Sequence, residues 1–433
     1  MSLEMLGGVA LGVMFVILML GVPIAFAMAS VGAVGLWIVE GPRAALAHAA
    51  LVPWSEGRSF VFVTIPLFVL MGQLVYQTGL ATDLYAGIRS WIGKVPGGLA
   101  IASVIACAGF GAVTGSSIAT VATMGAIVMP EMRRYGYDPR LATGALASSG
   151  TLGILIPPSV IFIFYGVMTE TSIGELFIAG IIPGLITAAM FSGIVLVRCT
   201  LTPSLGPPGP PATWPERWRA ARGFVPIVLL FAGIMGGLYI GAFTPTEGAG
   251  VGCAGVLLIA GVKRTLSRGA ISRALEETAL ISAMMFAIIV AGYLLARFLA
   301  ITGTTESIVD GLVEMELGRV GFVLLLVVLY LVLGALLDVF GMLVLTIPFV
   351  MPVARELGID ALWFGVFVVI MSEVALVTPP IGANVFVMRR VAPDVSMGEI
   401  FMGVLPFVVG ELVIVALLIA FPELATWLPA QMR

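Results

Sequence analysis

Four polar breaks interrupt otherwise apolar stretches of the chain, and they hold the residues best suited to bind a solute or an ion. The breaks combine Ser, Thr, Asn and Gly at 114–120, 148–153, 337–341 and 372–384. Hydroxyls, amides and unpaired carbonyl oxygens are hard ligands that suit a small alkali cation, and the N-terminal ends of half-helices attract anionic groups. These residue types predict reversible binding of a cation and an anion rather than covalent chemistry.

Two carboxylates fall inside the breaks. Asp338 lies in the third break and Glu373 lies in the fourth. An ionisable side chain at membrane depth is costly and usually functional, and Asp338 is favoured because it lies at a predicted turn. Glu373 could instead hydrogen-bond between packed helices. Any single Ser or Thr could likewise serve close helix packing, whereas the four breaks taken together favour a binding site.

The sequence contains no motif that indicates an enzyme once the neighbouring residues are considered. Residues 250–255 fit the G-x-G-x-x-G pattern but lie within an apolar segment with no strand before it, which indicates helix packing. His48 is the only histidine, so an H-E-x-x-H metalloprotease is excluded. The sequence holds no Walker motif. We therefore expect a protein that is not an enzyme and that draws on an ion gradient or on a separate ATPase.

The elements that must position the breaks are expected to be membrane helices. Hydrophobic residues make up 60% of the 433 residues and charged residues only 10%, whereas soluble domains carry about 25% charged residues. The net charge of −3 and the lack of a basic patch argue against nucleic acid. The three scattered cysteines predict neither a disulfide framework nor a metal cluster.

The apolar pattern predicts an all-α integral membrane protein. A crossing helix needs about 20 mostly apolar residues. Two longer apolar stretches, 97–131 and 320–353, are broken in the middle and are predicted to be re-entrant hairpins. About ten crossings are predicted near 4–21, 22–39, 60–79, 140–168, 176–199, 224–243, 248–262, 279–300, 361–388 and 400–420.

The distribution of basic residues predicts the orientation. If both broken stretches are hairpins, most of the 21 Lys and Arg residues fall on one side, which marks the cytoplasm. The first hairpin then enters from the cytoplasm, since its flanks are basic. The second enters from outside, since its flanks are acidic. Both termini are predicted to be periplasmic.

An internal repeat supports this plan. When the second half is slid back so that Met351-Pro352 falls on Met129-Pro130, Pro379-Pro380 falls on Pro157-Pro158 without a gap. Each copy would hold five crossings and a hairpin, so the second copy should be inverted relative to the first. Inverted repeats with broken helices are typical of secondary transporters, whose binding site lies near the bilayer midplane.

The predicted domains follow from the repeat. The first repeat spans 1–200, with scaffold helices at 4–79, the hairpin 97–131, a split helix at 140–168 and a helix at 176–199. Residues 201–223 form a Pro-rich cytoplasmic linker, and 203–215 should be extended and solvated. The second repeat spans 224–433, with helices at 224–300, the hairpin 320–353, a split helix at 361–388 and a helix at 400–420.

Several motifs together resemble a known family, the large membrane (DctM-type, or M) subunit of tripartite ATP-independent periplasmic (TRAP) transporters. The resemblance covers essentially the whole chain and is most specific over 60–184. The motifs are Thr64-Ile-Pro-Leu-Phe68 before Gly72, 111–120 (GAVTGSSIAT), Pro130 followed by Tyr135-Gly-Tyr-Asp138, 150–159 (GTLGILIPPS) and 378–384 (TPPIGAN).

The resemblance implies an elevator-type fold of the ion-transporter superfamily and sodium-driven uptake of organic anions, such as C4-dicarboxylates, other carboxylates or sialic-acid-like substrates. It implies Na⁺ as coupling ion and no cofactor. The implied partners are a small four-helix (DctQ-type) membrane subunit and a periplasmic (DctP-type) substrate-binding protein. The implied location is the bacterial inner membrane.

Site residues also follow from the resemblance. The first sodium ion would lie between the first hairpin tip and 150–157, and the second between the second tip and 378–384. The expected sodium ligands are Ser116, Ser117, Thr120, Gly150, Gly153, Pro157, Gly334, Asp338, Thr378, Gly382 and Asn384. The expected substrate-binding residues are Ser116, Ser117, Ser148, Ser149, Thr151, Thr378 and Asn384.

Two alternatives stay open at this point. A stand-alone sodium–dicarboxylate symporter could share the architecture, and uptake by the chain alone would favour it. A channel or structural membrane subunit is the alternative from another class, and accumulation against a concentration difference would exclude it.

Overall fold

The computed structural model describes residues 2–209 and 211–432, and all their regular secondary structure is helical. The predicted linker and the ends of the predicted repeats include Met1, Pro210 and Arg433, which lie outside the described residues. The helices of the first half are α1 (Leu3–Met19), α2 (Ile24–Glu40), α3 (Pro42–Gly57), α4 (Thr64–Gln77), α5 (Leu80–Ile92), α6 (Gly98–Thr114), α7 (Ser117–Arg134), α8 (Pro139–Ser149), α9 (Leu152–Leu155), α10 (Val160–Thr169) and α11 (Ile173–Leu201).

The second half runs through a similar order of helices. Its helices are α12 (Trp214–Tyr239), α13 (Pro245–Val262), α14 (Arg268–Ile301), α15 (Thr304–Glu314), α16 (Gly318–Gly334), α17 (Val339–Glu356), α18 (Ala361–Val377), α19 (Ala383–Val391), α20 (Met397–Ala420) and α21 (Glu423–Ala430). Two short 3₁₀ turns, Phe60–Val63 and Pro203–Leu205, precede α4 and follow α11.

The helices confirm a multi-pass membrane protein. Within the described residues, seven spans are long and apolar enough to cross a bilayer, or eight if the bent pair 139–155 and 160–169, with its 42° angle, counts as one. The predicted number of ten crossings is not reached by this criterion. Helices α1, α2 and α18 are apolar but shorter, at 17 residues each.

Both broken stretches fold as helical hairpins. Helices α6 and α7 meet at Gly115, whose φ of 61° is left-handed and suits glycine. The backbone N–H of Leu99 donates to the Tyr137 hydroxyl at 3.1 Å, which closes the base of this hairpin. Burial raises the pKa of Tyr137 to about 12, so it is neutral there. In the second hairpin, the Tyr330 and Thr346 hydroxyls join α16 to α17 at 2.9 Å.

Three ion pairs join elements at one end of the molecule. Arg133 at the end of α7 forms an ion pair with Asp394, which follows α19. Arg89 on α5 pairs with Glu131 on α7, and Lys263 pairs with Asp83 at 2.7 Å. The base of the first hairpin and the end of the second split helix therefore share one end, the end predicted to be cytoplasmic.

The predicted extended segment 203–215 ends in a helix. Helix α12 begins at Trp214 because Thr213 caps it, with the Thr213 N–H donating to Glu216 at 2.7 Å. Residues 214–223 are therefore helical. Two hydrogen bonds attach the preceding, partly exposed segment to the region where the first hairpin begins: the Gly97 N–H donates to the Gly206 carbonyl at 2.9 Å, and the Gly209 N–H donates to the Gly93 carbonyl at 2.7 Å.

The two halves differ at one scaffold element. In the first half, α3 ends at Gly57 and a 3₁₀ turn precedes α4, so the chain is interrupted there. When Gly79 is aligned with Gly303, this interruption falls on the continuous 34-residue helix α14 of the second half. The predicted crossing 279–300 is thus the C-terminal part of a longer helix. Helices α2 and α4 pack on α14, and α4 also packs on α13.

Candidate functional site

The first hairpin tip is a closed polar cluster. Ser116 caps α7, because its Oγ accepts from the Ala119 N–H at 3.4 Å. Its carbonyl accepts from the Thr120 hydroxyl at 2.7 Å, and Thr120 lies 3.3 Å from the Thr114 hydroxyl. Thr114, Ser117 and Thr120 are buried. The tip therefore concentrates hydroxyl and carbonyl oxygens at the point where the two helices of the hairpin meet.

The break in the first split helix lies directly against this tip. A Cβ built on Gly153 would lie 3.0 Å from the Thr120 hydroxyl oxygen and 3.3 Å from the Ser116 carbonyl oxygen. Gly150 similarly faces the Ser117 carbonyl at 3.3 Å. These distances explain why glycine stands at both positions, since any side chain would enter the space beside the oxygens.

Asn384 ties the second half of the chain to the same tip. Its Nδ2 donates to the Ser117 Oγ at 2.7 Å and to the Ala147 carbonyl at 3.0 Å. The Ser117 hydroxyl also lies 3.1 Å from the Asn384 Oδ1. Asn384 is fully buried at the start of α19. Three of the four predicted breaks, the tip and both split helices, thus converge at one place.

The second hairpin tip does not join this cluster. Asp338 is exposed and caps α17, with its Oδ1 accepting from the Gly341 N–H at 3.3 Å. Gly334 is buried against Ala375 of α18. Thr378 is half-buried, and its Oγ1 has no hydrogen-bond partner within the described part of the chain. The second predicted sodium site therefore has its residues on neighbouring elements without hydrogen bonds joining them.

Some of the remaining predicted residues form hydrogen bonds through their side chains, and others do not. The Ser149 hydroxyl donates a hydrogen bond to the Ala145 carbonyl within α8. The Thr151 hydroxyl donates to the Ser148 carbonyl at 2.7 Å and lies 3.2 Å from the Glu411 Oε1, while the Ser148 hydroxyl has no partner among the described residues. Pro157 is buried between the two halves of the first split helix, and Gly382, with a φ of 53°, caps α19.

Sequence reasoning missed Glu411. It lies in α20, is fully buried, and has its Oε1 3.2 Å from the Thr151 hydroxyl oxygen. The rule that singled out Glu373, an ionisable residue at membrane depth, applies equally to Glu411 because 400–420 was predicted to cross the membrane.

A cavity of about 710 Å³ lies at the other end of the first split helix, between the scaffold and the turn from α10 to α11. Glu56, Ser59 and Thr64 line one wall, and Glu170 and Ser172 line the opposite one. Partial burial raises the pKa of Glu56 above its usual range. This end is the one predicted to face outward, so the cavity is a candidate entry vestibule.

Comparison with known proteins decides the family. The family described as "Tripartite ATP-independent periplasmic transporter, DctM component" matches residues 11–424. The chain belongs to the DctM family. It is 33% identical over 382 residues to the C4-dicarboxylate TRAP transporter large permease protein DctM of Pseudomonas aeruginosa, covering 88% of each chain. It is 30% identical over 420 residues to the ectoine TRAP transporter large permease protein TeaC of Halomonas elongata, covering 95% of this chain and 96% of that one.

A solved structure shares the fold of this DctM-family chain. The YdaH transporter of Alcanivorax borkumensis superposes with a TM-score of 0.60 at 16% sequence identity, and the match covers 90% of both chains. At that identity the likeness concerns the fold alone. The chain is thus a TRAP transporter large permease subunit, and its relatives are transport proteins.

Proposed function

We propose that this chain is the transport subunit of a sodium-coupled, binding-protein-dependent secondary transporter for small organic solutes, chiefly organic anions. The observation that carries the proposal is the Asn384 bridge, which draws the first hairpin tip and both split helices around one set of buried oxygens. Hydroxyls and freed carbonyls are the groups with which broken membrane helices coordinate Na⁺. The donor set fits that ion.

Substrate would bind beside the sodium site, at the same break. The N-terminal ends of α7 and α19 both start at the cluster, and helix N-termini attract anionic groups. The relatives are named for a C4-dicarboxylate and for ectoine. Because both compounds carry carboxylate groups, we propose a carboxylate as the shared recognition element.

The movement would be of the elevator type. Helices α6–α11 and α16–α20 would move together with the cluster, while α1–α4 and α12–α14 would stay as scaffold. The Asn384 bridge supports this division, because it ties parts of both halves into one body. The vestibule lies between the scaffold and the start of α11, where a periplasmic binding protein would deliver substrate. We place the chain in the inner membrane, with both termini periplasmic and with a small DctQ-type subunit beside it.

Sodium binding to the purified full chain tests the proposal. Ser117→Ala should weaken binding of radioactive sodium at least about tenfold, which corresponds to about 1.4 kcal/mol. Ser149→Ala is the matched control, because the Ser149 hydroxyl donates to a carbonyl of its own helix. This variant should bind sodium with the affinity of the unmodified chain. Equal affinities in Ser117→Ala and the unmodified chain would remove the site assignment.

Uptake separates the proposal from the stand-alone symporter. Proteoliposomes that hold the chain with its small membrane subunit should accumulate labelled succinate or ectoine only when a sodium gradient and a binding protein are both present. Sodium-driven accumulation by the chain alone would favour a stand-alone symporter. Equilibration without accumulation would indicate a channel.

A further inference from the structure

Two glutamates that the proposed sodium cluster does not use are fully buried on helices that pack together. Glu373 lies on α18 and Glu411 on α20, and neither has exposed surface. Helix α18 also packs on α9, which begins directly after Thr151. The Thr151 Oγ1 lies 3.2 Å from the Glu411 Oε1. In the alignment that places Pro379-Pro380 on Pro157-Pro158, Thr151 and Glu373 occupy equivalent positions, so the pair lies where the two split helices meet.

Most of the oxygens in this group lack a partner. Both oxygens of Glu373 and the Oε2 of Glu411 have no hydrogen-bond partner among the residues that the structure describes, and neither does the buried hydroxyl of Ser148. A buried polar atom left unsatisfied costs about 1–3 kcal/mol, and such groups are rare in native cores. Four such atoms on the packed elements α8, α18 and α20 are groups that a bound proton could bring into hydrogen bonds.

No counter-charge is available to the two carboxylates from the described helices packed around them. The charged and titratable side chains on these helices lie at the helix ends or are engaged elsewhere, as Tyr165 is with the Ala361 carbonyl and Arg355 with the Thr169 carbonyl. These groups are Arg140, Tyr165, Glu175, Arg198, Cys199, Arg319, Tyr330, Arg355, Glu356, Arg389, Arg390, Glu399 and Glu423. Two fully buried carboxylates without a cation cannot both stay ionised away from water.

We propose that Glu373 and Glu411 form a proton-binding site that holds at least one proton at neutral pH. The carboxylic acid O–H of a protonated Glu411 would donate to the Thr151 Oγ1, which lies 3.2 Å away. The Thr151 hydroxyl proton is free of that contact, because Thr151 donates it to the Ser148 carbonyl at 2.7 Å. Protonation of Glu411 is thus linked to Thr151 and Ser148. Because these two residues form the break beside the sodium cluster, protonation and movement of that break are coupled, and this coupling rests on the proposed function.

Infrared spectroscopy of the full chain in lipid nanodiscs tests the proton site directly. A protonated carboxylic acid has a carbonyl stretch that is separate from the carboxylate and amide bands. The unmodified chain should show this band at neutral pH, and the band should shift in heavy water because the proton exchanges. The E373Q/E411Q double variant, which imitates the neutral acid in shape, should fold and lack the band. Thr151→Val should shift the band, since it removes the hydrogen bond.

Each other outcome overturns the proposal. If the unmodified chain shows no band, both carboxyls are ionised. If the band persists in the double variant, the proton lies elsewhere. If added sodium abolishes the band and the double variant no longer binds sodium, the pair is a sodium site. Should the double variant fail to fold, an unchanged band in Thr151→Val would overturn the proposal instead. The effect of Ser117→Ala on sodium binding does not depend on any of these results, so failure of the proton site and failure of the proposed function are distinguishable.

Discussion

The two hairpin tips occupy equivalent positions in the two halves, yet only one of them is a polar cluster. In the alignment of the two Pro-Pro pairs, Ser116 falls on Asp338, and both side chains cap the second helix of their hairpin through the N–H three residues ahead. The next position differs, because Ser117 falls on Val339. The same alignment places Asn384 on Phe162.

The consequence is that the contact between tip and split helix is polar on one side and apolar on the other. Ser117 and Asn384 hydrogen-bond at the first tip, whereas the second tip packs Phe340 on Phe164, with ring centroids 5.2 Å apart. Both halves thus share the same arrangement of hairpin and split helix. Only the first tip has a hydrogen bond between polar side chains at this contact among the described residues. This teaches that a repeat can specify where a site lies without making both copies of the site equal.

The largest effect is expected from closing the space between the first hairpin and its split helix. A Cβ on Gly111 would overlap the backbone of Gly153, so Gly111→Ala should destabilise the protein by about 3 kcal/mol or more, the upper end of overpacking costs. The equivalent residue in the second half is Leu333, where a side chain is already accommodated. Thermal unfolding in nanodiscs measures the loss.

Gly233→Ala is the control for that measurement. Gly233 lies on α12 with nothing within 4 Å of its built Cβ, so the substitution should leave stability unchanged or raise it by up to about 1 kcal/mol. Unfolding of Gly111→Ala at the temperature of the unmodified chain would contradict the close contact.

The second effect should separate the polar tip from the apolar one. Asn384→Leu leaves the Ser117 hydroxyl and the Ala147 carbonyl without their hydrogen-bond partner, and each loss should lower the free energy of unfolding by about 1–3 kcal/mol. The substitution should also abolish detectable sodium binding at the first tip. Phe162→Leu, at the equivalent position of the first half, should also lower stability but should preserve sodium affinity. Equal loss of sodium binding in both variants would show that stability alone controls it.

The third effect concerns the role of Asp338. As a helix cap it should contribute about 0.5–2 kcal/mol, which Asp338→Ala removes and Asp338→Asn retains. If Asp338 also binds sodium, as the resemblance implies, Asp338→Asn should restore the unfolding temperature without restoring sodium affinity. Full recovery of both properties in the Asn variant would reduce Asp338 to a cap, like Ser116 in the first half.

The smallest effect is expected at the scaffold interruption that only the first half has. Glu56 lines the vestibule there, and its burial raises its pKa above the usual value of 4.5; its equivalent on the straight helix α14 is Leu280. A raised pKa means that the folded state holds its proton longer than the unfolded state. Glu56 therefore lowers stability as the pH rises through and beyond 4.5.

Glu56→Gln should accordingly unfold at a slightly higher temperature than the unmodified chain at neutral pH. The difference should vanish at a pH below 4.5, where the carboxyl is neutral in both states. Thermal unfolding across this pH range is the measurement. A difference of the opposite sign at neutral pH would mean that the Glu56 carboxylate has a stabilising partner.

The fold was largely predictable because membrane helices follow from long apolar runs, and the breaks follow from Gly, Pro and hydroxyl residues. Both broken stretches, 97–131 and 320–353, turn within the breaks that the sequence marks, at Gly115 and just before Asp338. Helices α3, α5 and α15 were missed because they are not apolar enough for the crossing criterion. The end of the linker was missed because Thr213 and Glu216 form a cap that outweighs the neighbouring prolines.

The site was predictable only in part. Convergence of the first tip with both split helices followed from the repeat, and Asn384 was among the predicted ligands. The sequence could not show that the Ser149 hydroxyl donates to the Ala145 carbonyl of its own helix. A serine hydroxyl in a helix can bond either to the carbonyl one turn earlier or to a group outside the helix. It also could not place Glu411 beside Thr151, since that contact depends on how α20 packs against the first split helix.

The hydrogen bond between Ser117 and Asn384 joins residues 267 positions apart in the chain. At about 5–20 residues per second, the ribosome would need roughly 13 to 53 seconds to deliver Asn384 after Ser117 has been made. Throughout that interval the first tip holds polar groups that have no final partner. Biogenesis should therefore keep the amino-terminal hairpin at the insertion machinery or at the lipid surface, and its burial becomes one of the last events of assembly.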